Sequence, residues 1–220
     1  MKPRRRIRAL ALAFAILALP ALAGCGGSDR AATETTASPA EDVQITTAFG
    51  PMDKLPGVLR TAPPWPANRE QLEPRLRAIG LPALTAEGRV VDIRQHLDLL
   101  VEAKQVRIPA NIGIGEGLMA PLHTHDEVPS VIHVTSPTET SFSLGQFFAV
   151  WGVRLDARCI GSRCAGGGTE LRTWVDGKRF GGDPTSLVLE DSQQIVIAYG
   201  TPAQMPEDVP ATYDFEAAGS

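Results

Sequence analysis

From about residue 90 onward, apolar and polar residues alternate in several short stretches of the chain. Leu97, Leu99 and Val101 alternate with other positions in one stretch, and Ile132 and Val134 do so in another. A period of two residues is typical of β-strands that bury one face. The pattern therefore predicts a domain built mainly from strands that share a core.

Two stretches have the apolar spacing of short helices instead. The first covers about residues 69–79, where Asn68 can act as the cap and Leu72, Leu76 and Ile79 share one face. The second begins with a capping box of the Ser-x-x-Gln type at residue 143 and ends at a glycine, residue 152. Its inward face has the spacing i, i+3, i+4, i+7 and consists of Leu144, Phe147, Phe148 and Trp151. Two short helices are therefore expected beside the strands.

Turn signals complete the fold prediction. Asp176 and Gly177 form a dipeptide that favours a two-residue β-hairpin. Residues 186–189 and 194–199 predict two further strands. Together these elements predict an α+β fold, mostly antiparallel β, sandwich-like or β-grasp-like, with two short helices.

The chain opens with five basic residues, followed by an unbroken apolar stretch over residues 9–19. That stretch is too short to span a bilayer, but it suits a signal peptide. The residues Leu22, Ala23, Gly24 and Cys25 then form a lipobox, in which the cysteine receives diacylglycerol. We therefore predict a bacterial lipoprotein, cleaved before Cys25 and lipid-anchored on the extracytoplasmic face of the cell membrane. An ordinary secretory signal with a chance cysteine is the alternative.

Four parts follow along the chain: a lipoprotein signal peptide over 1–24, a flexible tether over 25–44, a proline-rich lead-in with a short helix over 45–89, and a mainly β domain with the histidines over 90–220. The leader holds five of the 21 basic residues and none of the 25 acidic ones, so the mature chain has a formal charge of −9. Such an acidic chain argues against nucleic acid as a partner. Membrane contact is expected through the lipid anchor.

All four histidines of the chain fall between positions 96 and 133. His123 and His125 are two residues apart, so on a strand both rings leave the same face. A turn that follows Asp126 would return His133 beside them, and His96 lies on an earlier strand. Clustered imidazoles suit zinc or copper, and also nickel or iron. The sequence predicts a metal site formed by His123, His125 and His133, with His96 and Asp126 as further candidates.

Other interpretations of these residues stay open. Asp98 and Met119 are weaker ligand candidates, and the histidines can instead be structural. Gly117 and the histidine pair resemble the start of a cupin motif. The glutamate expected in that motif is missing, because Glu127 is too close, and no histidine follows His133.

Cys159 and Cys164 are the two cysteines that remain in the mature chain. Outside the cytoplasm, paired cysteines usually form a disulfide, which here would pin a glycine-rich loop. A redox or metal-thiolate role is the alternative, although no histidine lies nearby in sequence. Because the closed loop is short, we expect only a small contribution to stability.

The stretch over residues 95–200 resembles a family of uncharacterised secreted or lipid-anchored bacterial proteins with a His-Thr-His-Asp motif. The matching segments are 96–98, 108–114, 122–126, 131–134, 143–148, 151–152, the pair Cys159 and Cys164, and 175–178. The resemblance implies the same domain and brings no known activity. Related sequences often have histidines where this chain has Asp92 and Arg94, a glycine at position 129 or 130, and a glutamate in place of Thr135. If those positions help to bind metal in the family, the resemblance implies that this chain binds it weakly or not at all.

These features predict a non-catalytic, membrane-anchored module that binds a divalent transition metal outside the cytoplasm. One alternative is a metal-dependent, cupin-like enzyme, in which Glu116 or Glu127 would act as general base. The other is an envelope interaction domain without metal. No catalytic residue is assigned, because the sequence contains no nucleophile elbow, no Ser-His-Asp order and no phosphate-binding P-loop.

Overall fold

The computed structural model describes residues 50–128 and 130–217. The predicted signal peptide, the lipidation site Cys25 and the predicted tether lie outside the described residues. The helices of the described part are α1 (Leu72–Ala78) and α2 (Leu144–Trp151), with short 3-10 turns at Met52–Lys54, Pro184–Ser186 and Pro202–Gln204. Its strands are β1 (Val91–Val101), β2 (Lys104–Gln105), β3 (Leu122–His123), β4 (Val131–Ser136), β5 (Cys159–Ile160), β6 (Arg163–Cys164), β7 (Glu170–Val175), β8 (Lys178–Phe180) and β9 (Gln193–Gly200).

A sheet of seven strands organises this part of the chain, in the order β3-β4-β1-β9-β7-β8, with β2 paired to the last two residues of β1. The central strands β1 and β9 are parallel, and the other neighbours are antiparallel. The predicted α+β class, mostly antiparallel with two short helices, is confirmed. A parallel pair therefore lies at the centre of the sheet, with antiparallel strands on both sides. A cupin-like jelly roll has two facing sheets with Greek-key connections, which the described strands do not form.

One face of this sheet forms the core. The predicted alternation is confirmed, because Leu97, Leu99 and Val101 of β1 are all buried. The parallel register sets Leu97 and Leu99 beside Ile195 and Ile197 of β9, which are fully buried. These residues belong to the same core cluster as the aromatic residues of α2.

The other face of β1 is polar. Asp92, Arg94, His96 and Asp98 occupy the alternate positions, so their side chains leave the sheet on the side opposite the core. Arg94 is the direct partner of His133 in the antiparallel register of β1 and β4. The candidate metal residues of both strands therefore share this polar face.

The local signals of α2 and of the β7–β8 hairpin are confirmed. The Ser143 hydroxyl accepts from the Gln146 N–H at 3.2 Å, the Gln146 side chain accepts from the Ser143 N–H at 2.9 Å, and Gly152 ends the helix in the left-handed conformation. Asp176 and Gly177 both have positive φ, as a type I′ hairpin requires. All eight residues of α2 are buried, because the helix contacts both α1 and β3.

The predicted disulfide is also confirmed. Cys159 and Cys164 are paired residues of β5 and β6, and their sulfur atoms are bonded. The bridge closes a separate two-stranded hairpin, apart from the large sheet in hydrogen bonding.

Two local predictions were wrong. Asn68 does not cap α1, which begins later, at Leu72. The Asn68 side chain instead donates to two backbone carbonyls of other segments. Residues 186–189 do not form a strand, since only Val188 pairs, in an isolated bridge to Ser143. In both places the residues make tertiary contacts with other segments instead of the local structure that the sequence predicted.

The described part of the predicted lead-in packs into the same core as the β domain. Its buried members are Met52, Leu55, Trp65, Leu72, Leu76 and Ile79. The boundary proposed at residue 89 stays a prediction. Among the described residues, no helix is both long and apolar enough to cross a membrane.

Candidate metal centre

The His-Thr-His motif is anchored at its middle residue. Thr124 is fully buried, and its hydroxyl donates to the Pro109 carbonyl at 2.9 Å and accepts from the Ile112 N–H at 3.1 Å. The residues on either side, His123 and His125, bring their rings together, with centroids 4.8 Å apart. The hydroxyl and backbone of one residue thus fix the position of both imidazoles.

Glu87 joins the two histidines, although the sequence analysis did not predict it. Leu84 and Met119 exchange two backbone hydrogen bonds of 2.8 Å, which hold the segment before β1 against the loop that leads to β3. One residue after Glu87, a Cβ on Gly88 would overlap the carbonyl carbon of Ser136. Only glycine allows this approach, so the backbone passes directly over the end of β4.

Three ligand atoms converge at this place. The Nε2 atoms of His123 and His125 lie 3.1 Å apart, the Glu87 Oε1 atom is 3.1 Å from the His125 Nε2, and it is 3.4 Å from the His123 Nε2. Around a tetrahedral zinc ion with bonds of about 2.0–2.1 Å, neighbouring ligand atoms are separated by about 3.3–3.4 Å. The triangle therefore has the size of one face of a tetrahedral metal site.

The hydrogen bonds around this triangle leave at most one proton for its three ligand atoms. The Nδ1 of His123 lies 3.1 Å from the Ala120 carbonyl, which can only accept, so the ring proton belongs on Nδ1 and Nε2 presents a lone pair. A carbonyl partner behind a ring is the usual arrangement for a metal-ligating histidine. The Glu87 carboxylate is also an acceptor, and at most one proton, on the His125 Nε2, can be shared among the three atoms. A cation at the centre would satisfy all of them.

The electrostatics keep His123 and Glu87 in the form that binds metal. Burial lowers the pKa of His123, and the nearby His125 lowers it further, against the opposing effects of the Ala120 carbonyl and Glu87. Desolvation raises the pKa of Glu87, but the two histidines outweigh it and the pKa lies below its usual value. A neutral imidazole and an ionised carboxylate are what a metal ion requires.

His133 stands beside this group. As predicted, the antiparallel pairing of β3 and β4 sets it opposite His123, and its ring centroid is 4.7 Å from that of His125 and 5.8 Å from that of His123. Its Nε2 is buried and has no hydrogen-bond partner among the described residues. Burial, and then the charges of His125, His123 and Arg94, lower its pKa to about 4. It is not one of the three residues whose ligand atoms all lie within 4.8 Å of one another.

The other predicted ligands lie outside this group of three. His96 is on the same face of the sheet, but its Nδ1 is 2.9 Å from the Gln194 Oε1, and its ring stacks on Tyr213 at 3.8 Å. Asp126 accepts a hydrogen bond of 2.7 Å from the Asn111 side-chain amide. The weaker candidates also have other contacts, since Asp98 accepts from two glutamine side chains and the backbone of Met119 pairs with the lead-in.

The triangle opens on one side into a polar cleft of about 410 Å³. The cleft is lined by Glu87, Asp92, Arg94, His125, His133 and Asp191. His123 has no exposed surface, whereas His125 and Glu87 are 28% and 49% exposed. A metal ion would therefore lie between a buried ring and the cleft. The two positions at which the resemblance implies further histidines, 92 and 94, line this cleft.

The geometry defines a group of two histidines and one glutamate that can hold a metal ion. No known family model, curated protein or solved structure matches this chain. The resemblance noted from the sequence therefore stays a prediction.

Proposed function

We propose that this chain is a membrane-anchored, extracytoplasmic lipoprotein whose folded domain binds one divalent transition metal. The ligands are Glu87, His123 and His125, with His133 beside them. The observation that carries the proposal is the triangle of their ligand atoms, with sides of 3.1, 3.1 and 3.4 Å. Without a cation, this arrangement leaves two of these atoms, the His123 Nε2 and the Glu87 Oε1, with facing lone pairs.

The donor set selects the class of metal. Two imidazole nitrogens and one carboxylate oxygen suit zinc, and imidazole also suits copper. Calcium and magnesium prefer oxygen ligands alone. Cys159 and Cys164 are not available as metal ligands, because they are bonded to each other in the disulfide. Zinc or copper is therefore the expected metal.

Two features support the proposed location. The residues Leu22, Ala23, Gly24 and Cys25 fit a lipobox directly after a basic and apolar leader. The Cys159–Cys164 disulfide suits an oxidising compartment outside the cytoplasm. A lipid on Cys25 would hold the domain at the membrane through two acyl chains.

The metal is tested with the full chain purified in detergent. Elemental analysis after dialysis at about pH 7.5, where imidazoles are neutral, should find about one equivalent of zinc or copper. His123→Ala and His125→Ala should each remove most of it. His96→Ala is the matched control, because His96 lies on the same face of the sheet but is engaged by Gln194 and Tyr213. Metal retention below a tenth of an equivalent in the unmodified chain would refute the proposal.

The anchor is tested separately by labelling cells with radioactive palmitate. The unmodified chain should incorporate the label, and Cys25→Ser should abolish it and leave the precursor uncut or release the protein. Cys164→Ser is a suitable control, since it removes a cysteine that is not part of the leader. Equal labelling of the Cys25→Ser variant and the unmodified chain would refute the lipoprotein assignment.

A further inference from the structure

The triangle of ligand atoms is open on the side of the cleft. Three protein ligands with one free position are the arrangement of catalytic zinc sites, including those with two histidines and a glutamate, whereas structural zinc sites have four protein ligands. His123 closes the buried side, and Glu87 and His125 line the cleft. A metal held here would therefore present its next coordination position to a space of about 410 Å³.

A guanidinium group that has no anionic partner among the described residues lines the same cleft. Arg94 is partly buried on the polar face of β1, directly opposite His133. Among the described residues, its side chain makes no ion pair or hydrogen bond, and its guanidinium carbon lies 6.0 Å from the centre of the Phe215 ring. A positive charge beside a metal ion weakens metal binding by repulsion. An anion that contacts both the metal ion and the Arg94 guanidinium would remove this repulsion.

The nearby acids do not supply that anion. The Asp191 carboxylate accepts from the Arg94 backbone N–H at 3.0 Å and from the Ser192 hydroxyl at 3.0 Å. Glu87 already faces the two histidines. Asp92 is exposed, so its carboxylate is well solvated. Arg94 is therefore left available to a group that enters the cleft from outside.

We propose that the bound metal takes the carboxylate of a small exogenous molecule as its next ligand, and that Arg94 binds the same carboxylate. This inference rests on the proposed function, since it requires the metal. The guanidinium forms a planar fork that matches a carboxylate. Asp92 and Asp191 line the same cleft, and they repel a phosphate group, with its charge of about −1.5 to −2, more than a singly charged carboxylate.

The test uses the full chain loaded with cobalt(II), whose visible absorption reports changes in its ligands. Acetate is titrated at constant pH and ionic strength, and inorganic phosphate is the comparison. We expect a saturable spectral change with acetate and a weaker one with phosphate. Arg94→Gln should weaken the apparent acetate affinity at least about tenfold, as loss of a charge-assisted contact implies. The acetate affinity of Arg94→Lys should lie between those of the unmodified chain and Arg94→Gln, because lysine keeps the positive charge but lacks the planar fork of the guanidinium.

Arg89→Gln is the matched control, because Arg89 is an exposed arginine just before β1 and does not line the cleft. It should change the acetate affinity less than about twofold, since exposed charges act weakly at a distance. If acetate does not change the spectrum of the cobalt-loaded chain, this inference is wrong, whereas the proposed function is unaffected. Equal losses in the Arg94 and Arg89 variants, or tighter binding of phosphate, would also overturn it. Failure to load cobalt, zinc or copper would instead remove the proposed function and this inference together.

Discussion

The two faces of strand β1 show how differently a buried residue can be satisfied. On the core face, Leu97 and Leu99 pack against Ile195 and Ile197 of the parallel neighbour β9. Apolar side chains there need only matching size and shape. On the polar face, each buried nitrogen or oxygen atom needs a partner of its own, because an unpaired polar group in the interior costs free energy.

Two histidines on that polar face sharpen the contrast. His96 is satisfied, since its ring nitrogen pairs with Gln194 and its ring stacks on Tyr213. His133 has a buried Nε2 without a partner among the described residues, beside the group of Glu87, His123 and His125. The same residue type on the same face thus has two different environments, which differ in whether the ring nitrogen has a hydrogen-bond partner among the described residues.

The largest expected effect concerns the core face. Leu97→Ala should lower the free energy of unfolding by about 3 kcal/mol, because it removes a fully buried side chain and leaves a cavity. Leu100→Ala on the opposite face should cost about 1 kcal/mol or less, since Leu100 is partly exposed. Urea denaturation of the metal-free chain measures both. Equal losses would contradict the assignment of the two faces.

The next effect concerns the site itself. Glu87→Gln should weaken zinc binding about 100-fold, or about 2.7 kcal/mol, because the anionic ligand is replaced by a neutral amide. Glu127→Gln makes the same charge change at an exposed residue just after His125, and it should alter the affinity less than about twofold. Competition with a chromophoric chelator gives both affinities. A Glu87 variant that binds zinc as the control does would exclude this carboxylate as a ligand.

A smaller effect is expected from pH. The pKa of His133 is about 4 in the folded chain, below its ordinary value of 6.5, so between these values the unfolded state binds more protons. Stability therefore falls as pH drops from about 6.5 toward 4, by about 2 kcal/mol after allowance for partial exposure of the ring. His133→Gln should lose this part of the pH dependence in urea denaturation with a chelator present. An unchanged slope in the variant would contradict the shifted pKa.

Local sequence signals predicted the elements whose geometry depends on near neighbours. The capping box at Ser143, the hairpin at Asp176 and the alternation in β1 each involve residues a few positions apart, and each is present in the structure. The spacing of His123 and His125 predicted that the two rings lie together, as observed, although β3 ends at His123 and the contacts of Thr124 hold the pair in place of strand geometry. Asn68 failed as a cap because contacts with other segments occupy its side chain.

The sequence did not predict Glu87 as a candidate ligand. Glu87 lies 36 residues before His123, in a segment that the alternation pattern left outside the β domain. Its only sequence signal was Gly88, a glycine beside an acidic residue just ahead of a strand, which is too common to single out a ligand. The contact depends on the backbone pairing of Leu84 with Met119 and on the close approach to Ser136.

The sequence by itself determined the alternating strands, the two short helices, the cysteine pair and the histidine cluster, and it predicted a secretory leader. These features depend on residue chemistry and on the periods of helix and strand, which are local. Only the tertiary structure decided that Glu87 completes the group of ligand atoms, that Gln194 and Tyr213 engage His96, and that Arg94 faces the open side. Those outcomes depend on the register between β1, β4 and β9 and on the contacts of the segments before β1 and after β9, which form only when the whole core packs.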